Sequence, residues 1–223
     1  MPRFKLVLTL LTLTLAFSSL FARDAAKYST YYNQRASLFE SLPHAQDDIV
    51  FLGDSITDGG EWCELFGDSR MKNRGISGDV TWGVLDRLEE VTAGKPAKIF
   101  LMIGVNDLAR GKSVQEISAN HREIVEGILQ ASPETQLYLQ SVLPVNNVFG
   151  KFNNHTDKGV EILVVNKKLK ELAKATPNTE YIDLFQAFRT NDGLLETLYS
   201  NDGLHLTGDG YVLWKSMIEK HVN

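Results

Sequence analysis

Three side chains in this sequence are of the types that acyl transfer requires. Ser55 supplies a hydroxyl, His205 an imidazole, and Asp202 a carboxylate three residues before that imidazole. A serine hydroxyl is a weak nucleophile until a base removes its proton, and a histidine held by a carboxylate is suited to that task. We therefore predict that Ser55 is a nucleophile, that His205 is its base and that Asp202 orients the histidine.

The tetrahedral intermediate of acyl transfer also needs hydrogen-bond donors for its oxyanion. The candidates are the backbone N–H groups of Ser55 and Gly78 and the side-chain amide of Asn106. Glycine at position 78 would let the backbone come close to the substrate oxygen. Each of these segments taken alone is also ordinary turn composition. It is their joint occurrence after predicted strands that favours an active site.

The apolar runs before these segments predict a parallel sheet. Residues 49–52 and 98–103 are nearly unbroken apolar runs, which are typical of strands buried on both faces. Further short strands are predicted from Met71, over 136–143 and over 180–184, and helical segments alternate with them. This pattern predicts an α/β fold with five parallel strands and helices on both faces. Loops at the carboxyl ends of such strands meet at one edge of the sheet.

The helical segments differ in how clearly the sequence marks them. Residues 28–42 predict an opening helix, 61–66 one or two helical turns, and 160–175 a long helix. Ser113 with Glu116 forms a capping box that predicts another helix start. A last helix is predicted after residue 207.

Two regions carry more specific expectations. Residues 81–91 are amphipathic, which predicts one helix with its charged side chains, including Arg87 and Glu90, mostly outward. Residues 145–157 form a long polar loop, which is either a substrate-specific wall or lid, or a plain surface excursion.

The first 22 residues have the layout of a secretory signal peptide. Arg3 and Lys5 precede an apolar run over 6–17, and the segment SSLFA at 18–22 places alanine directly before Arg23. An uncleaved membrane anchor is the alternative, but the apolar stretch is barely long enough to span a bilayer and is diluted by threonine and serine. We predict that residues 1–22 are removed, that 23–223 form one domain, and that the protein is exported to a periplasm or to the outside of the cell.

Charge and composition exclude several classes of function. The net charge is −5, and removal of the signal would make it more negative, so nucleic acid and anionic membrane surfaces are poor partners. The single cysteine, Cys63, allows no internal disulfide and is expected to be partly buried. No metal site is predicted, because the five histidines show no ligand spacing: His44, His121, His155, His205 and His221. The oligomeric state is left open.

Four segments in order resemble the motif blocks of the SGNH (GDSL-type) hydrolases. They are GDSIT at 53–57, GISGD at 75–79, GVND at 104–107 and DGLH at 202–205. The resemblance implies a flavodoxin-like three-layer α/β/α sandwich and ester hydrolysis without metal or cofactor. The family's signature positions fall here on Ser55, Gly78, Asn106 and His205, with Asp202 completing the triad.

Residues 61–88 and 205–211 resemble most the branch with the catalytic subunits of intracellular platelet-activating-factor acetylhydrolase. That branch favours acetyl and other short acyl groups, but its intracellular phospholipid role does not fit an export signal. The leading hypothesis is an exported serine esterase that removes acetyl groups from a polysaccharide or sialic acid. Trp62, Trp82 or the loop 145–157 could line the sugar site, although helical spacing also suits both tryptophans to helix packing. The alternatives are a lysophospholipase or thioesterase of the same fold and a non-catalytic glycan-binding module.

Overall fold

Five short parallel strands form the centre of the structure, a computed structural model that describes residues 27–222. The strand order is β2-β1-β3-β4-β5, which is that of flavodoxin-like sheets. The strands are β1 (Ile49–Gly53), β2 (Met71–Gly75), β3 (Lys98–Met102), β4 (Gln136–Gln140) and β5 (Thr179–Ile182). The predicted α/β fold with five parallel strands is therefore confirmed. The signal peptide predicted over residues 1–22 lies outside the described residues.

Helices connect the strands and cover both faces of the sheet. The connections include long helices such as α7 and α9 and several helices of a single turn. The helices are α1 (Thr30–Ser41), α2 (Ser55–Asp58), α3 (Trp62–Phe66), α4 (Thr81–Asp86), α5 (Leu88–Thr92), α6 (Val105–Ala109), α7 (Val114–Ala131), α8 (Asn153–Thr156), α9 (Gly159–Ala175), α10 (Phe185–Phe188) and α11 (Gly208–Val222). The predicted capping box at the start of α7 is present. No helix among residues 27–222 is both long and apolar enough to cross a bilayer.

A ladder of aromatic rings covers one face of the sheet. Phe51, Phe100 and Tyr138 lie side by side in register on β1, β3 and β4. Their ring centroids are 5.1 Å and 4.5 Å apart. Trp62 of α3 stacks on Phe51 at 4.0 Å, and Trp214 of α11 meets Trp62 edge-on at 4.8 Å. These contacts fix α3 and α11 on this face, and such aromatic pairs contribute about 0.5–1.5 kcal/mol each beyond their buried area.

The opposite face is aliphatic. Val50 and Leu52 alternate with Phe51 along β1 and therefore point to the other side of the sheet. Right-handed crossovers place α7 and α9 on that side, where Ile124 of α7 and Val165 of α9 are fully buried in the same core. Both layers leave the carboxyl edge of the sheet free, which is the edge where the predicted site residues lie.

The prediction of one helix over residues 81–91 is wrong. The chain forms α4 and α5 with a break at Arg87, whose side chain is buried rather than outward. The break turns the Arg87 guanidinium inward, where it pairs with Asp79 at 2.9 Å. Glu90 is buried as well and accepts a hydrogen bond from Arg74 Nε at 2.7 Å. Two buried ion pairs thus remove Arg87 and Glu90 from the predicted solvated face, on which Asp86 and Glu89 are exposed as predicted.

Cys63 also departs from expectation. It is exposed on α3, not partly buried, because the neighbouring Trp62 is the residue that α3 turns into the core.

We expect the Arg87→Met variant to lose about 3–5 kcal/mol of unfolding free energy, because it leaves the buried Asp79 carboxylate without its partner. The measurement is urea unfolding followed by circular dichroism. Arg70→Met is the matched control, because Arg70 pairs with Asp68 at the surface, and its stability should stay close to that of the wild type. Equal losses in the two variants would contradict a structural role for the buried pair.

Candidate active site

The four segments singled out in the sequence meet at the carboxyl edge of the sheet. Ser55 is the first residue of α2 and lies two residues after the last residue of β1. Asp54 precedes it as the N-cap residue, and its carboxylate accepts a hydrogen bond from Ile56 N at 3.0 Å. This cap starts a helical turn at Ser55, so the backbone N–H of Ser55 lies at a helix N-terminus.

A chain of hydrogen bonds joins the serine, the histidine and the aspartate. Ser55 Oγ lies 2.9 Å from Nε2 of His205, and Nδ1 of His205 lies 2.8 Å from Oδ2 of Asp202. The other carboxylate oxygen of Asp202 accepts from the backbone N–H groups of Leu204 at 2.9 Å and His205 at 2.8 Å. The structure thus brings together three residues that the sequence placed up to 150 positions apart.

The environment of Asp202 sets the tautomer of the histidine. Partial burial raises the pKa of Asp202, but hydrogen bonds from Leu204 and His205 outweigh it and hold that pKa below the usual range. The carboxylate is therefore ionised at neutral pH and can only accept, so Nδ1 of His205 must carry the proton. Nε2 then presents its lone pair to the Ser55 hydroxyl.

The three oxyanion-donor candidates lie beside this chain. Among residues 27–222, neither the Ser55 N–H nor the Gly78 N–H donates to a protein acceptor. Gly78 is exposed and has φ +78°, a backbone conformation that favours glycine. Asn106 is buried, and its Nδ2 donates to the Asp79 carbonyl oxygen at 2.9 Å. A primary amide has two N–H bonds, so one remains for a substrate oxygen.

Buried polar contacts hold these loops against one another. Arg87 pairs with Asp79 and also donates to the Gly53 carbonyl oxygen at 3.3 Å. The Asp107 carboxylate accepts from the backbone N–H of Thr81 at 3.1 Å and from the Thr81 hydroxyl. The loops after β1, β2 and β3 are therefore cross-linked by charge-assisted hydrogen bonds, which hold the candidate donors in fixed positions.

The loop 145–157 lies against the site. Its Phe152 ring meets the His205 ring edge-on at 5.0 Å, and Nε2 of His155 lies 2.9 Å from Oδ1 of Asn106. The loop is tied to the segment before His205, because Asn146 N donates to the Gly203 carbonyl oxygen at 2.9 Å. Gly203 has φ +86°, and a Cβ there would lie 1.8 Å from the Asn146 carbonyl oxygen. The sequence predicted either a wall or lid, or a plain surface excursion, from the length and polarity of this loop. No pattern in the sequence singled out Phe152 or His155.

The two tryptophans proposed for sugar binding are placed differently. Trp62 is buried in the core, whereas Trp82 is partly exposed on α4. Among the described residues, no three His, Cys, Asp or Glu side chains lie close enough together to hold a metal ion.

The arrangement has the parts of an acyl-transfer centre: a hydroxyl, a base with its acceptor nitrogen toward that hydroxyl, and free donors nearby. The GDSL-like Lipase/Acylhydrolase family matches residues 51–213, a span that contains all of these groups. The chain belongs to this family.

Curated relatives of this GDSL hydrolase include platelet-activating factor acetylhydrolase IB subunit alpha2 of Rattus norvegicus. The two are 30% identical over 172 residues, which cover 74% of this chain and 72% of the relative. A solved Streptococcus pneumonia protein described as a platelet activating factor is 30% identical with a TM-score of 0.80, covering 86% and 93% of the two chains. The acetylxylan esterase Axe2 of Geobacillus stearothermophilus, 21% identical with a TM-score of 0.63 over 81% and 96%, shares the fold.

We expect Ser55→Ala to abolish turnover of an activated acetate ester with the fold intact, because the variant keeps the backbone and loses the hydroxyl.

We expect Asp202→Asn to lose ~10⁴ in turnover of the same ester, because the amide favours the wrong histidine tautomer. Ester assays with circular dichroism on each variant decide both. Retained activity in Ser55→Ala would move the nucleophile elsewhere, and a nearly unaffected Asp202→Asn would move the orienting role elsewhere.

Proposed function

We propose that this protein is an exported serine esterase that removes acetyl or other short acyl groups from carbohydrate, such as a polysaccharide or sialic acid. The observation that carries the proposal is the hydrogen-bonded chain from the Ser55 hydroxyl through His205 to the Asp202 carboxylate. Ser55 is the nucleophile, His205 the general base and acid, and Asp202 the orienting carboxylate.

The reaction proceeds in two halves. Ser55 Oγ bonds to the acyl carbon while its proton passes to Nε2 of His205, which gives a tetrahedral intermediate. The bond from the acyl carbon to the sugar oxygen then breaks, and His205 donates its proton to that oxygen. Water attacks the acyl-enzyme with His205 again as the base. The bond from the acyl carbon to Ser55 Oγ then breaks, His205 returns its proton to Oγ, and the carboxylic acid is released.

The negative charge on the former carbonyl oxygen is stabilised by the N–H groups of Ser55 and Gly78 and by the free N–H of Asn106. Because these donors are fixed before the reaction, their hydrogen bonds to the substrate oxygen strengthen as charge develops, and the site does not have to reorganise. Each donor contributes roughly 10²–10³ in turnover. Asp202 stabilises the imidazolium form of His205 while it holds the proton.

Three observations support the acetyl and carbohydrate part of the proposal. The relative from rat is an acetylhydrolase, and an acetylxylan esterase shares the fold. Trp82 lines a surface cleft of about 320 Å³ with Lys112 and Asn120. Arg110 lies over the Trp82 ring at 5.9 Å and donates to the Gly78 carbonyl oxygen at 2.7 Å, so the cleft adjoins the oxyanion loop. A partly exposed indole beside polar side chains suits the apolar face of a sugar ring.

The export part of the proposal is supported separately by residues 1–22, whose sequence has the layout of a secretory signal peptide.

The acyl-chain profile tests the chemistry of the proposal. We expect turnover of activated esters from two to twelve carbons to be highest for acetate, with Ser55→Ala as the blank, and we expect acetate release from an acetylated polysaccharide or acetylated sialic acid. A maximum at eight carbons or more would instead support a lysophospholipase or thioesterase. A folded protein that hydrolyses no ester would support the non-catalytic glycan-binding module.

The role of Trp82 has its own test. We expect Trp82→Ala to raise KM for the acetylated glycan about two- to tenfold, because an aromatic–ring contact is worth about 0.5–1.5 kcal/mol. Turnover of a small activated acetate ester should stay within about twofold, since that substrate has no sugar ring. If both substrates are affected equally, Trp82 supports the fold of the Gly78 loop rather than the sugar.

A further inference from the structure

His155 makes a contact with the site that the two-half reaction does not use. Its Nε2 lies 2.9 Å from Oδ1 of Asn106, while Nδ2 of Asn106 donates to the Asp79 carbonyl oxygen at 2.9 Å. The amide group of Asn106 is therefore held at both of its ends. Because an amide is planar, these two contacts fix the direction of the remaining N–H bond.

The direction of the hydrogen bond follows from the partners. Since Nδ2 of Asn106 faces a carbonyl oxygen, its other end is the amide oxygen, which can only accept. Nε2 of His155 must therefore carry a proton and donate it. Among the described residues, Nδ1 of His155 is buried and has no hydrogen-bond partner, which fits a bare lone pair better than a second buried N–H.

The electrostatic surroundings favour the neutral ring. Burial, the neighbouring His205 and Arg110 lower the pKa of His155, while Asp157 acts in the opposite direction. A neutral His155 protonated on Nε2 is thus the form that the geometry and the charges both support at neutral pH.

The segment that carries His155 is shaped to present it. Phe152 precedes α8 with φ +52°, a left-handed conformation that is uncommon for a side chain of this size. The Phe152 carbonyl oxygen accepts from the N–H groups of His155 at 2.7 Å and Thr156 at 3.0 Å. Thr156 is buried, which anchors α8. Phe152 thus has a strained backbone conformation three residues before His155, whose ring contacts Asn106. Backbone strain of this kind is common at functional sites.

We propose that His155 is a positioning residue that orients Asn106 and polarises its amide for oxyanion stabilisation. The inference rests on the proposed function, in which Asn106 is an oxyanion donor. A hydrogen bond donated to the amide oxygen draws electron density from the nitrogen, and the remaining N–H becomes a better donor. The gain is largest when negative charge forms on the substrate oxygen, so the effect falls on kcat rather than on KM.

A double-mutant cycle tests whether His155 acts through Asn106. We expect His155→Phe, which keeps a ring but lacks a donor, to lower kcat for an activated acetate ester about tenfold, the effect of one hydrogen bond, with KM within about twofold. In an Asn106→Ala background the same change should cost less than about twofold, because its target is gone. An equal loss in both backgrounds would overturn the proposal.

Two further variants separate positioning from a structural role. His155→Gln places an amide N–H near the position of Nε2 and should recover most of kcat, whereas Asn154→Ala, an exposed neighbour in α8, should match the wild type. Circular dichroism checks each fold, and His155→Leu replaces the Phe variant if that one is unfolded. A glutamine variant as impaired as the phenylalanine variant would argue against a donor at this position.

A readout without turnover distinguishes failure of this inference from failure of the proposed function. The ¹⁵N shifts of the His155 ring, assigned by their loss in His155→Gln, should report a neutral ring protonated on Nε2 at pH 7. A proton on Nδ1 would contradict the proposal even in an active enzyme. If the wild type hydrolyses no ester, the proposed function fails, and the tautomer still decides the contact with Asn106.

Discussion

The buried ion pair between Arg87 and Asp79 is the contact on which the geometry of the site depends. Both side chains are fully withdrawn from solvent. The same guanidinium donates to the carbonyl oxygen of Gly53, two residues before the nucleophile candidate, and the backbone carbonyl of Asp79 receives the Asn106 amide. One charge therefore sets the relative positions of three loops. An ion pair buried this deeply is a poor general source of stability, so its value here lies in specifying one arrangement.

Two further buried carboxylates, those of Asp54 and Asp107, lie near the Asp79 carboxylate and are repelled by it. Burial raises the pKa of Asp54 to about 7 and that of Asp107 to about 6. With a pKa of about 7, Asp54 is partly protonated at neutral pH, so these buried acids carry less negative charge than three ionised carboxylates would. In the proposed reaction, this lower negative charge would reduce the repulsion between the buried carboxylates and the oxyanion.

The sequence predicted the fold well because its strongest signals are local. Apolar runs ended by glycine or polar turns mark strands buried on both faces, and the polar residues after them converge through topology alone. Arg87 was misplaced because helical periodicity assigns a charged residue to solvent, whereas its partner Asp79 lies in a preceding loop and becomes a neighbour only in the folded chain. His155 was overlooked for the same reason. Its importance comes from a contact with Asn106 that no spacing rule encodes.

The hydrogen bond between Ser55 and His205 joins residues 150 positions apart. Ser55 belongs to the first strand–helix unit, but its partner follows the last strand, so closing this contact requires almost the whole chain to be ordered. A partly synthesised chain thus possesses the hydroxyl without its histidine and aspartate partners. The topology therefore delays assembly of the candidate active site until folding is almost complete.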